Sequence, residues 1–426
     1  MTGPTKRRTG AARVTRPVVV VGAGLAGLCC ARRLVEAGVE VRLIEAADRV
    51  GGRVASDLID GFIVDRGFQV LLTAYPEAHS GLDLERLRLR RFYSGALVRC
   101  DDRFRRLADP RRHPIAGLGS ALSRLLPMRD LPRLAVLHGR LRRIAEGRRP
   151  AADITTAEYL DRCGFSGKTV ERFFRPFFGG VFLERELESP LAKFAFVFTM
   201  FARGPAALPE RGIAAIPTQL AETLPEASVT TGRRVERIDA PDVVLADGER
   251  VRARCVVVAT DVTSAAALLP GLADPGWNAT VTLSFAAPDA PIEEPILALD
   301  GSGTGPVNHL CVPSRVSPSY APPGTSLVSA NVVGVYRGQK GDLEGAVRRQ
   351  LRGWFGDSVN RWHLLRMDRI ERALPRGARP AEMAGSAWYH PSESIYVCGD
   401  YLDGASINGA MRSGRLVAED VLAATG

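Results

Sequence analysis

The stretch Val18-Val19-Val20-Val21-Gly22-Ala23-Gly24-Leu25-Ala26-Gly27 decides the fold of this 426-residue chain. Four successive β-branched residues suit a strand that is covered on both faces, as strands are in a parallel sheet. The glycines open a helical pattern that runs to about Ala37, and a second strand pattern over residues 39–44 follows. These elements form one βαβ unit, which predicts an α/β fold with a parallel sheet.

An acidic residue ends the second strand of this unit. Glu45 stands 18 residues after Gly27 (45 − 27 = 18), and a GxGxxG run with an acid at about this distance predicts dinucleotide binding. The glycines let the backbone approach a pyrophosphate at the positive end of the helix. A carboxylate at Glu45 can accept hydrogen bonds from both ribose hydroxyls. The candidate residues of this loop are Gly22, Gly24, Leu25, Ala26, Gly27, Glu45 and Ala46.

Composition is that of a soluble globular protein with two or three domains. Hydrophobic residues make up 46% and charged residues 24%, which excludes a disordered or fibrous chain. The charge-free stretch over residues 17–31 is shorter and richer in glycine than a membrane span, which needs about 20 apolar residues. Residues 1–16 are basic without the features of a signal peptide. Seven scattered cysteines without a CxxC pair favour a reducing compartment, so a cytoplasmic location is expected.

Four further segments of the sequence resemble motifs of a known protein family. They are Asp48-Arg49-Val50-Gly51-Gly52-Arg53, then residues 66–72 (RGFQVLL) with Ala74-Tyr75-Pro76, residues 396–400 (YVCGD) and residues 406–410 (SINGA). Together with the glycine loop, they resemble the FAD-dependent flavin amine oxidase and phytoene desaturase family, which includes protoporphyrinogen oxidase-like oxidoreductases. The resemblance implies a Rossmann-type FAD-binding domain interleaved with an α+β substrate domain.

The resulting domain prediction divides the chain into five pieces and a tail. Residues 81–200 are mostly helical in pattern, whereas residues 278–335 alternate as in an antiparallel sheet. The FAD-binding domain is assigned residues 17–80, 205–265 and 385–426, the substrate-binding domain is assigned 81–204 and 266–384, and 1–16 is a flexible basic tail.

The resemblance also implies roles for individual residues. In the family the GGR loop lies along the pyrophosphate, a valine like Val235 binds adenine through its backbone, and an acid like Asp400 holds the ribityl chain. The alternatives are a solvated basic turn, an ordinary strand valine and a simple helix cap. The candidates added in this way are Arg49, Gly52, Arg53, Gly67, Phe68, Gln69, Val70, Val235, Thr260, Gly399, Asp400, Ser406, Ile407 and Asn408.

The helix after Asp400 is expected to point its N-terminus toward the flavin, and Gly409, Ala410, Ser413 and Gly414 keep one of its sides slim. Some members attach the flavin to a cysteine, but none lies between Cys311 and Cys398 in this chain. We therefore expect FAD to be held non-covalently. No metal-ligand pattern is present in the sequence, so no metal is predicted.

The sequence assigns no catalytic residue. The six histidines are scattered and are interpreted as structural, and Lys193 is a weak candidate for the lysine that contacts the flavin through water in amine oxidases. Residues 173–201 hold nine of the 16 phenylalanines, which form either a core or an apolar substrate tunnel. Leu374 and Pro375 resemble a strand that leads to the flavin face in protoporphyrinogen oxidases. Ser406 stands where many amine oxidases carry an aromatic residue that cages a small amine.

These features favour an enzyme that takes a hydride from a C–C or C–N bond of a lipophilic substrate. Two alternatives remain. One is a redox-neutral isomerase that uses reduced FAD. The other is an escort-type binding protein of the same fold without flavin.

A basic segment suggests a surface partner. The chain carries a net charge of +10, and residues 86–149 hold 18 arginines against five acids. Within residues 129–146, leucines and an isoleucine recur at helical spacing, while arginines gather on another side; the apolar positions are Leu131, Leu134, Leu137 or His138, Leu141 and Ile144, and the basic ones Arg129, Arg133, Arg140 and Arg143. Such a helix either lies on an anionic membrane surface or packs on the core with solvated arginines. No recognition motif supports nucleic-acid binding.

Overall fold

The computed structural model describes residues 16–425 except 110–111, 114, 116, 118–124, 150, 337, 378–388 and 391–393. Nearly all of the predicted basic tail and part of the segment 385–426 thus lie outside the described residues. The strands are β1 (Val18–Val21), β2 (Val41–Ile44), β3 (Ser56–Ile59), β4 (Phe62–Asp65), β5 (Leu71–Leu72), β6 (Arg90–Arg91), β7 (Gly95–Cys100), β8 (Arg103–Ala108), β9 (Ala206–Leu208), β10 (Val229–Thr230), β11 (Val235–Asp239), β12 (Asp242–Leu245), β13 (Arg250–Val251), β14 (Cys255–Val258), β15 (Trp277–Ala287), β16 (Leu297–Asp300), β17 (Val307–Cys311), β18 (Ser326–Val333), β19 (His363–Pro375), β20 (Tyr389–His390) and β21 (Ile395–Val397).

The helices lie between and around these strands. They are α1 (Leu25–Glu36), α2 (Pro76–Gly81), α3 (Leu131–Ala145), α4 (Thr156–Arg162), α5 (Gly167–Thr169), α6 (Arg175–Phe182), α7 (Leu191–Arg203), α8 (Ala215–Ala221), α9 (Val262–Leu268), α10 (Pro313–Val316), α11 (Lys340–Phe355) and α12 (Ile407–Thr425). A π-helical turn over Val170–Phe174 joins α5 to α6.

The parallel sheet has the strand order β10-β2-β1-β14-β21-β20. Strand β1 pairs in parallel with β2 and β14, and only β20, at the edge, runs antiparallel to its neighbour. Val18 and Val20 pack with α1 and α12 in one core cluster, whereas Val19 and Val21 pack with β11, β12 and β13 in another. Both faces of β1 are therefore covered, which is why its residues are all apolar. The expected Rossmann-type fold is confirmed.

A second, seven-stranded mixed sheet has the order β19-β15-β18-β17-β16-β7-β8. Its centre is antiparallel, but β16 pairs in parallel with β7. Leu343, Val347 and Leu351 of α11 are buried in one cluster with Phe285 and Val328 of the sheet. The other face packs in part on Phe62 and Tyr320, and its residues Thr280, His309 and Asn331 line the cavity described below.

Residues 90–108 correct the mostly helical expectation for 81–200. They form β6, β7 and β8, and residues alternate between partly buried and buried along β7. The parallel partner of β7 is β16, about 200 residues further along the chain, so the pairing has no local signal. Strand β6, in the segment 81–204 assigned to the substrate-binding domain, also pairs with β9, in the segment 205–265 assigned to the FAD-binding domain. The domain boundaries stay a prediction.

Three further observations bear on the sequence expectations. None of the seven cysteines forms a disulfide, and all but Cys163 are buried. Among the described residues, no helix has the length and apolar character that crossing a bilayer requires. Within the same residues, no group of His, Cys, Asp or Glu side chains could hold a metal ion.

Candidate cofactor and substrate site

One large cavity, of about 2260 Å³, lies between the parallel sheet and the second sheet. Ligand pockets commonly measure about 300–1,000 Å³, so this volume has room for a cofactor and a substrate together. Eighteen of the 21 candidate residues line it: Gly22, Gly24, Leu25, Ala26, Glu45, Ala46, Gly52, Arg53, Gly67, Phe68, Gln69, Val70, Val235, Thr260, Gly399, Asp400, Ser406 and Ile407.

The glycine loop forms one end of the cavity. Gly22 has a φ of +102°, and a Cβ at Gly22 would lie 3.0 Å from the carbonyl oxygen of Ala259. In contrast, a Cβ at Gly24 would meet nothing within 4 Å, so the cavity is open in front of it. Gly24 caps α1 without a side-chain hydrogen bond, and no acid lies in the first turn of α1. The N-terminus of α1 is thus a positive, unshielded surface suited to an anion.

Glu45 is fixed by the backbone around it. Its Oε2 accepts a hydrogen bond of 2.7 Å from the Ala23 N–H, and its Oε1 accepts one of 2.8 Å from the Ala47 N–H. Both contacts leave lone pairs on the carboxylate, because each carboxylate oxygen has two. Glu45 is therefore held in one orientation and can still accept hydrogen bonds from a ligand in the cavity.

Arg53 and Asp400 form a two-point ion pair across the cavity. The Nη1 of Arg53 donates to Oδ2 of Asp400 at 2.9 Å, and its Nη2 donates to Oδ1 at 2.5 Å. The same Nη1 donates to the carbonyl oxygen of Ala373 at 3.0 Å. Asp400 is buried, whereas about a third of the Arg53 side chain is exposed. The pair joins the loop after β2 to the turn before α12, positions 347 residues apart.

Three candidates do not line the cavity. A Cβ at Gly27 would lie 1.9 Å from the carbonyl oxygen of Gly22, so this glycine permits the close contact between α1 and β1. Arg49 instead forms an ion pair of 2.6 Å with Asp57. Asn408 accepts a hydrogen bond of 3.1 Å from the backbone N–H of Glu77. These three residues contact other parts of the protein and not the cavity.

Helix α12 begins at the cavity. The Oγ of Ser406 accepts a hydrogen bond of 3.0 Å from the Gly409 N–H, so this serine caps the helix. The small residues on one side of α12 mostly contact other parts of the protein and do not line the cavity. A Cβ at Gly414 would lie 2.0 Å from the carbonyl oxygen of Ala26 in α1. The Oγ of Ser413 accepts a hydrogen bond of 3.0 Å from the Gly399 N–H. Of the four small residues, only Ala410 lines the cavity.

The phenylalanines divide between core and cavity. Phe174, Phe182 and Phe194 are fully buried and belong to a core cluster. Others line the cavity, namely Phe173, Phe177, Phe178, Phe198 and Phe201. Leu374 also lines it, from the end of β19. The phenylalanine-rich segment therefore contributes side chains both to the core and to the cavity wall, and its role as a substrate tunnel stays a prediction.

Two buried polar residues of the cavity wall are Lys193, the candidate for a lysine near the flavin, and His309, which was interpreted as structural. Lys193 is 4% exposed, its Nζ lies 5.0 Å from the Phe182 ring centroid, and burial lowers its pKa to about 8. His309 is also 4% exposed, and burial lowers its pKa to about 4. His309 stands in the fully buried strand β17, where a histidine is usually structural, and no local sequence signal marks it as functional.

The residues present fit FAD. The open space before Gly24, the uncapped start of α1 and the anchored carboxylate of Glu45 match a pyrophosphate and a ribose in chemistry and in order. Asp400 and the phenylalanine side chains line the same cavity.

Residues 25–422 match the family profile described as flavin containing amine oxidoreductase. The chain belongs to this family of enzymes. Membership implies FAD as the cofactor, and it identifies the chain as an amine oxidase-family oxidoreductase without naming its substrate.

Relatives within the family match over limited segments. The chain is 55% identical to putrescine oxidase of Kocuria rosea over 56 residues, which are 13% of this chain and 12% of that protein. It is 33% identical to a carotenoid phi-ring synthase of Streptomyces griseus over 207 residues, 44% of this chain and 38% of that protein. The matches thus span less than half the length of either relative. An oxidoreductase structure from Methanosarcina mazei superimposes with a TM-score of 0.72 at 20% identity, covering 96% of this chain and 100% of that chain, which shows the shared fold.

Proposed function

We propose that this protein binds FAD non-covalently in the cavity and takes a hydride from a C–C or C–N bond of a lipophilic substrate. The observation that carries the proposal is one cavity that is lined both by a dinucleotide-type loop at Gly24 and Glu45 and by a set of phenylalanine side chains. FAD supplies the hydride acceptor at its N5 when bound.

The residues around Gly24 and Glu45 bind and orient the cofactor. The start of α1 and Gly52 face the pyrophosphate, Arg53 supplies a fixed positive charge, and Glu45 holds the adenine ribose. The capped start of α12 directs a partial positive charge into the cavity near Asp400, which favours a ligand that becomes negative on reduction. Val235 is 8% exposed and lines the cavity, consistent with an adenine contact through its backbone.

Non-covalent attachment is supported by the wall of the cavity. Among the described residues that line it, none is a cysteine, and Cys311 and Cys398 are fully buried elsewhere. A thiol that attaches a flavin has to reach it.

The aromatic end of the cavity suits a lipophilic substrate. Phenylalanine side chains exclude water and offer apolar area without asking for hydrogen bonds. Ser406 is engaged in capping α12 and has no aromatic ring to cage a small amine, so a bulkier C–N substrate or a C–C bond is favoured. The complete cofactor end supports an enzyme over a flavin-free escort protein.

The test is an anaerobic screen of the FAD-loaded protein with amines, carotenoids and porphyrinogens. We expect one class to bleach the flavin absorbance and oxygen or a quinone to restore it. Conversion of a substrate without net oxidation, dependent on reduced FAD, would replace the proposal by the isomerase. Absence of FAD binding would contradict the proposal as a whole.

We also propose that α3 contacts an anionic membrane surface. Leu137, Leu141 and Ile144 are buried in the core with the phenylalanines, so the apolar face packs on the protein. Arg140, Arg142 and Arg143 of α3 and Arg129 in the turn before it are exposed and available to lipid headgroups, and Met128 and Val136 are exposed at 67% and 52%. Arg133, also expected on the basic face, instead forms an ion pair of 2.8 Å with the buried Asp130. Leu131 and Leu134 line the cavity, so a lipophilic molecule could pass from the membrane along α3.

A further inference from the structure

His309 lies in the wall of the cavity, in β17. Its ring centroid is 5.3 Å from that of Phe68, one of the candidate cofactor residues. On its other side stands Gly180 of α6, where a Cβ would lie 2.9 Å from the Nδ1 of His309. A glycine is therefore needed for α6 to approach this ring.

The neighbouring amide fixes which ring nitrogen carries the proton. The Nδ2 of Asn308 donates to the carbonyl oxygen of Pro176 at 2.8 Å, which fixes the orientation of the amide because a carbonyl oxygen can only accept. The same Nδ2 lies 3.1 Å from the Nδ1 of His309. An amide nitrogen can only donate, so Nδ1 is the acceptor, and the proton of the neutral ring is on Nε2.

The Nε2–H is a donor without a partner among the described residues, and it is buried. Polar residues on the same face of the sheet have other partners: the Oγ1 of Thr280 donates to the Val332 carbonyl oxygen at 2.9 Å, and the Oδ1 of Asn331 accepts from the Oγ1 of Thr282 at 2.7 Å. A buried donor left without an acceptor is unfavourable. His309 lines the cavity while its Nε2 is covered. A ligand that displaces a neighbouring side chain from this nitrogen supplies the missing acceptor.

We propose that His309 is a specificity-determining residue whose Nε2–H donates a hydrogen bond to an oxygen or nitrogen atom of the substrate. This rests on the proposed function and narrows its substrate class. The substrate is a lipophilic molecule with a hydrogen-bond acceptor, and a pure hydrocarbon is disfavoured because it would leave the donor buried without a partner.

The test uses two probes of nearly equal shape, 2-acetylnaphthalene and 2-ethylnaphthalene, which differ in a carbonyl group. Equilibrium dialysis against the FAD-loaded protein gives both dissociation constants. We expect the ketone to bind about tenfold more tightly than the hydrocarbon. His309→Phe should reduce this ratio to about one, and His309→Gln, which keeps a donor, should restore part of it. His138→Phe, at another histidine of the cavity wall, should keep the ratio.

Equal affinities for the two probes in the parent protein, an unchanged ratio in His309→Phe, or binding of neither probe would each overturn the proposal. FAD affinity is measured in the same variants. An FAD dissociation constant raised about tenfold in His309→Phe, with the probe ratio kept, would place the acceptor on the cofactor instead and also overturn it.

A second measurement is independent of FAD, so that failure of the proposed function is recognised separately. Nitrogen-15 spectra of histidine-labelled, FAD-free protein are compared with those of His309→Gln to assign the His309 signals. We expect a protonated Nε2 and an unprotonated Nδ1 at pH 7, with the Nε2 signal shifting when 2-acetylnaphthalene is added. A proton on Nδ1, or no shift, would contradict the assignment.

Discussion

At the scale of single residues, the cofactor end of the cavity depends on groups whose partners are fixed before any ligand binds. The carboxylate of Glu45 is held by two backbone N–H groups, and Asp400 is held by Arg53. A ligand that meets such groups loses little free energy to ordering them. The local sequence could indicate Glu45, because its spacing from the glycines is fixed by the βαβ unit. It could not indicate the Arg53–Asp400 pair.

Glu45→Ala should weaken FAD binding about tenfold to a hundredfold, since a hydrogen bond to a charged group contributes roughly 1.5–3 kcal/mol. FAD titration of the apoprotein, followed by flavin fluorescence, measures the effect. Glu40→Ala is the matched control, because Glu40 is exposed and does not line the cavity. Equal dissociation constants for the two variants would mean that Glu45 does not bind the ribose.

Lys193→Met should stabilise the FAD-free protein in a pH-dependent way. Burial lowers the Lys193 pKa from 10.5 to about 8, with Glu184 and Asp400 opposing the shift. The charge on Lys193 therefore lowers the free energy of unfolding. This effect is fully present below pH 8 and disappears as the pH rises to about 10.5, where the lysine of the unfolded chain also loses its proton. The free energy of unfolding of the variant should exceed that of the parent by about 3 kcal/mol at pH 7 and by about half as much at pH 9.5.

Urea unfolding at the two pH values checks this expectation. Lys168→Met serves as the control, because Lys168 is exposed. A difference between Lys193→Met and the parent that stays constant with pH would show that folding does not lower the pKa of Lys193.

At the scale of elements, close packing of α1 on α12 holds the two halves of the cofactor site together. Their contact depends on Gly414, where a Cβ would lie 2.0 Å from the carbonyl oxygen of Ala26. Backbone cannot move aside as a side chain can, so the helices would have to separate. The small residues of α12 are thus explained by helix packing and only partly by the cavity.

Gly414→Ala should therefore lower the free energy of unfolding by about 1–3 kcal/mol, as overpacking in a core does. The control is Gly353→Ala in α11, where a Cβ meets nothing within 4 Å and where alanine should stabilise the helix by about 0.5–1 kcal/mol. Thermal unfolding of both variants shows whether each substitution lowers or raises the stability of the protein. A Gly414→Ala variant as stable as Gly353→Ala would contradict the packing described for α1 and α12.

The exposed face of α3 gives the second expectation at this scale. Replacement of Arg129, Arg140, Arg142 and Arg143 by glutamine should reduce co-sedimentation with anionic phospholipid vesicles, since each basic residue near such a surface contributes about 1 kcal/mol. Binding of the parent should weaken as salt is raised and be absent with neutral vesicles. Four arginines outside α3, for example Arg237, Arg250, Arg315 and Arg361, form the matched control set and are exposed or partly exposed. Equal absence of the parent from both vesicle pellets at low salt would leave the arginines as a solvated surface.

At the scale of the whole molecule, the cavity between the two sheets makes FAD binding and stability interdependent. A ligand that binds only the folded state stabilises it by about 2.7 kcal/mol when its concentration is a hundred times its dissociation constant. FAD should thus raise the unfolding temperature of the apoprotein, and the rise should grow with FAD concentration. Acid precipitation should release FAD into the supernatant. Flavin that remains on the precipitated polypeptide would contradict non-covalent binding, and an unfolding temperature that does not change with FAD would contradict the site.

The sequence by itself determined the parallel sheet, the glycine loop and most of the cofactor end of the cavity. Residues 18–45 form a βαβ unit whose signals are local, and the motifs near residues 52 and 400 have fixed neighbours along the chain. Tertiary structure alone decided the rest. It paired β7 with β16, brought Arg53 to Asp400, turned Gly414 toward α1 and placed His309 in the cavity wall. These contacts join residues far apart in the chain, and their chemistry depends on burial and on neighbours that no local pattern of residues can specify.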